Sequence, residues 1–274
     1  MDFRRIPTSA WIGLVLTGLF IFAAVFAPWI APYSNSDSTG GVWEQFTLQH
    51  LLGTDSLGRD LLSRLIFGAR TTILIAALAT ALSFTMGTVL GFFAAVSGGW
   101  VDMVLSRLVD VLMAIPTLIF ALVVLSVLPS TMLVLICVMG VLDSTRVYRL
   151  ARAVAVDINV MDFVEAARLR GEGNIWVIFR EILPNALTPL VAELGLRFIF
   201  QILLLSALSF LGLGVQPPDA DWGSMVKENK DGIVFGVPAA LLPAAAIALL
   251  AISVNLVADW VLNRTTDLKG GRGG

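Results

Sequence analysis

His50 and Cys137 are the only histidine and the only cysteine in the 274-residue sequence, and that limits the chemistry available. A lone cysteine forms no intrachain disulfide, and Cys137 lies in an apolar run, where a thiol behaves as a small hydrophobe. One histidine and one cysteine do not make a zinc site. A Ser-His-Asp triad would have to use His50, and no G-x-S-x-G turn accompanies it. No G-x-x-x-x-G-K-[ST] loop is present to cradle a nucleotide phosphate. The expectation is a chain that is not an enzyme and holds no metal or cofactor of its own.

The side chains with the densest charge lie elsewhere, in "DFVEAARLRGEGNIWVIFREILPNALTPL", residues 162–190. Asp162 and Glu165 have the D-x-x-E spacing of a capping box, in which Asp162 accepts from exposed backbone N–H groups and Glu165 reaches back. Ala166 and Ala167 are strong helix formers. Gly171 supplies the left-handed position that ends a helix cheaply. A second short helix is expected from Asn174 to Leu183, with Pro184 in the first turn of the helix that follows. Small residues at a protruding turn let another backbone approach closely, which suits a docking knob. A basic amphipathic stretch also suits lipid headgroups, and on these residues alone the two readings stand level.

The elements around this insert are apolar. The chain is 57% hydrophobic and 14% charged, with mean hydropathy +0.88, where a soluble domain carries about 25% charged residues. The fold class expected is all-α, a polytopic membrane protein forming a single domain over 1–274. Six crossings are expected at 11–30, 71–96, 105–128, 131–150, 187–211 and 238–262, each long enough for about 30 Å of hydrocarbon. The first run reads as an uncleaved anchor, because it is too long for a signal peptide and Pro28-Trp29 follows it. Trp11, Trp29, Trp100 and Trp260 lie near segment ends, as interfacial tryptophans do. With the N-terminus inside, twelve Lys and Arg fall on the cytoplasmic side, from Arg4 and Arg5 to Arg264, Lys269 and Arg272, against five outside. The positive-inside rule then puts both termini in the cytoplasm, and makes 153–184 a cytoplasmic loop.

Charges inside spans cost about 2.5–3.5 kcal/mol at a helix centre and face the protein interior. Asp110, Asp143, Glu193, Arg197 and Asp259 are of this kind. Glu193 and Arg197, four residues apart, read either as a self-paired clamp or as a polar patch along a solute route. Asp110 is expected to pair with Arg107, and Asp143 with Arg146 or water. Pro116 interrupts a helix, as a gate or as a packing kink. Gly212 and Gly214 allow close helix approach before Pro217-Pro218 turns the chain outside. Gly53, Asp55 and Arg59 in "GTDSLGRD", with Pro217, Pro218 and Trp222, are expected on the outer face, as a partner contact or as internal bracing.

"EAARLRGEGNIWVIFREILPN" resembles the EAA signature of bacterial ABC-importer permeases through Glu165, Ala166, Ala167, Gly171, Leu183 and Pro184. Glu181 stands where that pattern often has an apolar residue, with Ile182 beside it. "HLLGTDSLGRDLLSRLIFGAR" and "LSFLGLGVQPPDADWGSMV" resemble the dipeptide/oligopeptide/nickel branch, and within it the second, shorter permease subunit. The resemblance implies an ATP-driven importer whose ATPase-coupling residues are Asp162, Glu165, Ala166, Ala167, Leu169, Gly171, Leu183 and Pro184. It implies a homologous second permease, two ATPase subunits that carry ATP and Mg, and an extracytoplasmic substrate-binding protein, all at the bacterial inner membrane. The residues themselves, and not the resemblance, suggest pathway or gate roles for Asp110, Pro116, Glu193, Arg197, Gly212 and Gly214, beside the structural readings given above. The competing class is an ion-gradient-driven secondary transporter, which has no need of the cytoplasmic knob; an intramembrane enzyme lacks a nucleophile motif.

Overall fold

The structure, a computed structural model, describes residues 7–270, with side chains described between 7 and 263. Arg4, Arg5 and Arg272, and the side chains of Arg264 and Lys269, therefore lie outside the described residues. Among those described, every named element is helical; the only β pairing is two isolated bridges, Ser38 with Arg59 and Thr54 with Asp60. Helix α1 (Thr8–Ile30) turns Ile12, Val15, Leu19, Phe22 and Phe26 outward at helical spacing. An outward apolar face on a helix of this length suits a lipid surround rather than water.

Helix α2 runs Leu61–Ser97, ten residues earlier than expected, and α5 runs Met132–Asn159, nine residues later. Both extensions are charged, which is why apolar length alone missed them. Arg64 in α2 and Arg152 in α5 are ion-paired there, and Arg149, just before the α5 extension, is exposed but also paired. The two helices lie side by side over most of their length. Gly87 and Gly91 form a small-xxx-small step on α2. A Cβ on Gly87 would stand 2.6 Å from the Ser144 carbonyl oxygen, and one on Gly91 would stand 2.8 Å from that of Tyr148. Only glycine lets the backbones approach so closely.

The expected third crossing is two helices, α3 (Gly99–Ala114) and α4 (Thr117–Val127), bent by 86°. Proline disfavours a helical residue before it, and Ile115 is extended at φ −93°, ψ 129°. Pro116 therefore breaks the element rather than kinking it. After α5 comes α6 (Asp162–Leu169), then α7 (Asn174–Trp176), a π-helical turn Val177–Ile182, and α8 (Leu183–Leu211). From Asn174 to Leu211 these form one apolar rod of 38 residues. The separate second short helix is thus not found. Pro184 has no N–H to give to the preceding turn, and the wider π turn carries the helix past it. Helix α9 (Trp222–Asn229) lies inside the loop expected on the outer side, and α10 (Leu241–Gly270) ends the described chain.

Four described helical stretches are long and apolar enough to cross a membrane: Thr8–Ile30, Leu61–Ser97, Asn174–Leu211 and Pro238–Asn263. The bent pair α3–α4 makes a fifth if it counts as one span. Helix α5 has the length, but Asp143, Arg146 and Arg149 interrupt its apolar character.

Candidate functional site

The knob is built by α6 and the turn after it. Val164 and Ala167, three residues apart, are buried. Val164 shares a core with Ala155 and Ile158 of α5, Val177 and Ile182 of the π turn and Ala186 of α8. Ile182, not Glu181, is the apolar residue packed there, which accounts for the acidic residue in the motif. The opposite face presents Glu165, Ala166 and Leu169 to the outside, Leu169 being 83% exposed. Of the three EAA residues, two face outward and Ala167 packs inward.

The expected capping box is absent. Met161 is the N-cap, extended at φ −80°, and no side chain caps the helix. Its carbonyl accepts from the N–H of Val164 at 2.9 Å and of Glu165 at 3.2 Å, so the helix starts one residue before the aspartate. Asp162 and Glu165 instead lie in the first turn, where negative charge meets the positive end of the helix dipole. The glycine corner is as expected. Gly171 is left-handed at φ +89°. Its N–H donates to Arg168 O at 2.9 Å, and that of Glu172 donates to Ala167 O at 3.2 Å. These are the two bonds of a Schellman ending. Arg168 donates to Asn159 Oδ1 at 2.6 Å, and the Arg170 guanidinium lies 5.8 Å from the Trp176 ring centroid. The knob is thus fastened at both ends to the helices that flank it. Leu183 and Pro184 lie apart from its outer face: Pro184 is exposed, and Leu183 lines an apolar cavity of about 730 Å³ between α2 and the rod, with Phe84, Phe92 and Phe179.

A family described as "Binding-protein-dependent transport system inner membrane component" matches residues 87–267. The chain belongs to this family. A second family, the N-terminal transmembrane domain of oligopeptide transport permease C, matches residues 7–49. The permease is 37% identical over 254 residues to the di/tripeptide transport system permease protein DppC of Pseudomonas aeruginosa, covering 90% of this chain and 84% of that protein. It is 31% identical over 251 residues to a dipeptide permease of Alkalihalophilus pseudofirmus, covering 91% and 83%. It is 35% identical over 259 residues to the glutathione permease GsiD of Escherichia coli, covering 94% and 85%. The permease is a multi-pass inner-membrane translocation subunit of an ATP-driven importer and not an enzyme; ATPase and further permease subunits complete such a system. Family membership overturns the alternative of an ion-driven secondary carrier.

Within the bundle the permease joins some of the expected pathway residues and separates others. Arg197 Nε bonds Glu193 at 2.7 Å, and Arg197 Nη1 reaches Asp143 at 3.3 Å. Asp143 also accepts from Ser83 of α2 at 3.3 Å and pairs with Arg146 at 3.6 Å. Arg146 in turn donates to Thr117, the residue after Pro116, at 3.1 Å. Asp110 bonds Arg149 of α5 at 2.8 Å rather than Arg107, because the partner across α3 and α5 lies closer than the one along its own helix. Arg152 pairs with Asp102 nearby. Gly212 and Gly214 stand apart from this cluster, where α8 ends. Gly212 is left-handed at φ +94°, and Gly214 lies against Ser209 with no room for a side chain.

On the expected outer side the permease is braced internally. Asp55, Arg59 and Trp222 are buried and so do not face a partner as outer-face contacts. Asp55 binds the Arg59 guanidinium at 2.7 Å and also binds Arg64. Glu228 of α9 meets Arg59 and Arg64 at 2.6 Å each. Burial alone would raise the Asp55 carboxyl, but the Arg59 backbone N–H and the Arg64 guanidinium outweigh it and hold Asp55 below its ordinary value. Gly53 is buried and left-handed against the Glu44 backbone. Trp222 donates to Leu65 O at 3.0 Å and stacks edge-on against Phe20. Pro217 and Pro218, joined by a cis peptide, remain exposed, with Pro218 O accepting from Asn35 at 3.0 Å.

Helix α9, Glu228 and Asn229 were not expected. Asp221 and Ser224 had the spacing of a capping box, and here both capping bonds form. Burial pushes the Asp221 carboxyl up, against the bonds from Ser224, Ser209 and Gly223. A carboxyl raised in the folded state holds its proton more tightly there, so local stability falls as pH rises above about 4, the unfolded value. Hydrogen exchange of Trp222–Asn229 should accordingly quicken from pH 4 towards pH 7 beyond its intrinsic rate. Asp221→Asn, which still caps, should flatten that excess; an equal excess in both proteins would contradict it.

Proposed function

We propose that this chain is one of two homologous permeases in a bacterial importer for short peptides. One of two ATPases docks on the 153–184 loop, the other on the partner permease, and an extracytoplasmic binding protein delivers the solute. ATP and Mg act on the ATPases. The relatives named for di/tripeptides, dipeptides and glutathione share a substrate chemistry of short amide-linked chains with charged ends, and the proposal takes that class.

In this reading the chain crosses six times, through α1, α2, the α3–α4 pair, α5, α8 and α10, with both termini cytoplasmic. Helix α5 crosses despite its charges because Asp143 and Arg149 have partners on neighbouring helices. A membrane tolerates a charge that is paired inside the bundle. The observation that carries the proposal is the α6 knob between α5 and α8. It turns Val164 and Ala167 into the protein and offers Glu165, Ala166 and Leu169 outward. A helix lying on lipid headgroups would put its apolar face on the membrane instead. When ATP draws the two ATPases together, each knob moves with its ATPase, and the bundle exchanges its open side.

Purification of the tagged chain from native membranes, followed by uptake of a radiolabelled dipeptide into proteoliposomes, tests this. The expected result is a co-purified ATPase pair and uptake that needs ATP. An intact chain without an ATPase would overturn the docking, and ATP-dependent transport that ignores peptides would overturn the substrate class.

A further inference from the structure

Asp143 stands where four helices meet. Its carboxylate takes Ser83 of α2 and Arg197 of α8, and through Arg146 it reaches Thr117 at the start of α4. It is 3% exposed. Arg197 is spent on Glu193, on Asp143 and on the face of Phe200, whose centroid lies 4.9 Å from the guanidinium carbon. A guanidinium so engaged has little left with which to hold a passing solute.

Its position relative to the knob is the telling feature. Asp143 and Asn159 are separated by about 24 Å of α5, and Ile182 and Arg197 by about 22 Å of the rod, at 1.5 Å per residue. The two arms run antiparallel, share an apolar core near the knob, and are bonded to each other where Arg197 reaches Asp143 and Gln201 donates to Met139 O at 3.3 Å, beside a second apolar core that includes Leu135, Met139, Leu205 and Leu208. One arm is fused to α2 through the glycine seam at Gly87 and Gly91. The other contains the π turn, a wider and less regular stretch where a push on the knob could be lost as bending. A frame tied at its far end by directed ionic bonds resists shear; one held there mainly by apolar contact slides more easily.

We infer that Asp143 and Arg197 are positioning residues, an ionic tie that makes α8 move with the α2–α5 unit when the knob is pushed, so that ATPase motion reaches the pore. The inference rests on the reading of the knob as the ATPase dock. Asp143→Asn breaks the tie while Arg197 keeps Glu193, whereas removing Arg197 strands Glu193 and damages folding on any account. Asp143→Asn is therefore the decisive variant.

The test uses the assembled complex in proteoliposomes and reads dipeptide uptake per ATP hydrolysed. Asp143→Asn should assemble and hydrolyse ATP but lose about tenfold in uptake per ATP. Arg197→Lys, which keeps the charge, should fall between it and wild type. A purely structural role predicts instead that Asp143→Asn lowers the yield of assembled complex and leaves its uptake per ATP unchanged. An assembled Asp143→Asn complex within about twofold of the wild-type ratio would overturn the tie. A wild-type complex without a bound ATPase would overturn the dock on which it rests, and so the two failures are distinct.

Discussion

Replacing Gly171 by valine should abolish most uptake while the permease still inserts and its spans still pack. Nothing lies within 4 Å of a Cβ built on Gly171, so the space is open and the whole penalty is conformational. At φ +89° an L side chain is strained by about 1–2 kcal/mol, and a β-branched one by more. That penalty lowers the population of the intact corner by about 5–30-fold. The Schellman bonds to Ala167 and Arg168 loosen first, and the outward face of α6 loses its fixed direction. A graded series sharpens the test, because asparagine tolerates the left-handed region better than alanine, and alanine better than valine. Uptake should fall in the order Asn, Ala, Val, with basal ATP hydrolysis by the assembled complex little changed. Equal uptake across the series would show that the corner's geometry does not matter.

Removing Asp55 should have the largest effect on stability. Its carboxylate accepts from the backbone N–H of Leu57 at 2.8 Å and of Arg59 at 2.9 Å, and from both guanidiniums beside it. Asp55→Ala leaves Arg59 and Arg64 sharing Glu228, in surroundings where loss of one partner of a buried pair costs about 3–5 kcal/mol. The 31–60 segment should become open to protease and to hydrogen exchange, while the helical content of the bundle stays. Protection unchanged from wild type would refute the brace. The pH dependence has a definite sign. The Asp55 carboxyl is held below its unfolded value, so its contribution is fully present above about pH 4 and drains away as pH falls through the depressed folded value. Asp221 works in the opposite sense, so a fall from pH 7 towards pH 4 should favour the α9 cap, while the Asp55 cluster loosens only in acid below about pH 4.

The apolar runs made α1 and α10 legible, because nothing but lipid contact and helix packing decides their composition. The charged ends of α2 and α5 were not legible. A lone sequence shows Arg64, Arg149 and Arg152 as polar punctuation, whereas the fold supplies Asp55, Glu228, Asp110 and Asp102 as partners from other elements. The same cause moved Asp110 away from Arg107. Gly171 was readable because a left-handed helix ending is a local property. The capping box at Asp162 was misread because the start of α6 is set by the extended Met161 and by burial of Val164, which the D-x-x-E spacing does not register. Asp55 read as an outer contact or as internal bracing, because spacing alone does not choose between them, and here both it and Trp222 are buried.

The six residues Val177–Ile182 carry a consequence for how the chain tolerates length changes. A π turn holds about one residue more than the α-helical turn it replaces. Excising one residue there lets the rod relax to ordinary winding. One turn then replaces one turn, so the helix on either side of the cut keeps its phase about the rod axis. The same excision from the α-helical winding of Leu183–Leu211 has no spare residue to absorb it, and swivels Glu165, Ala166 and Leu169 by about 100° about that axis. The heading of the knob is therefore written in residue count, with a single residue of slack held in Val177–Ile182.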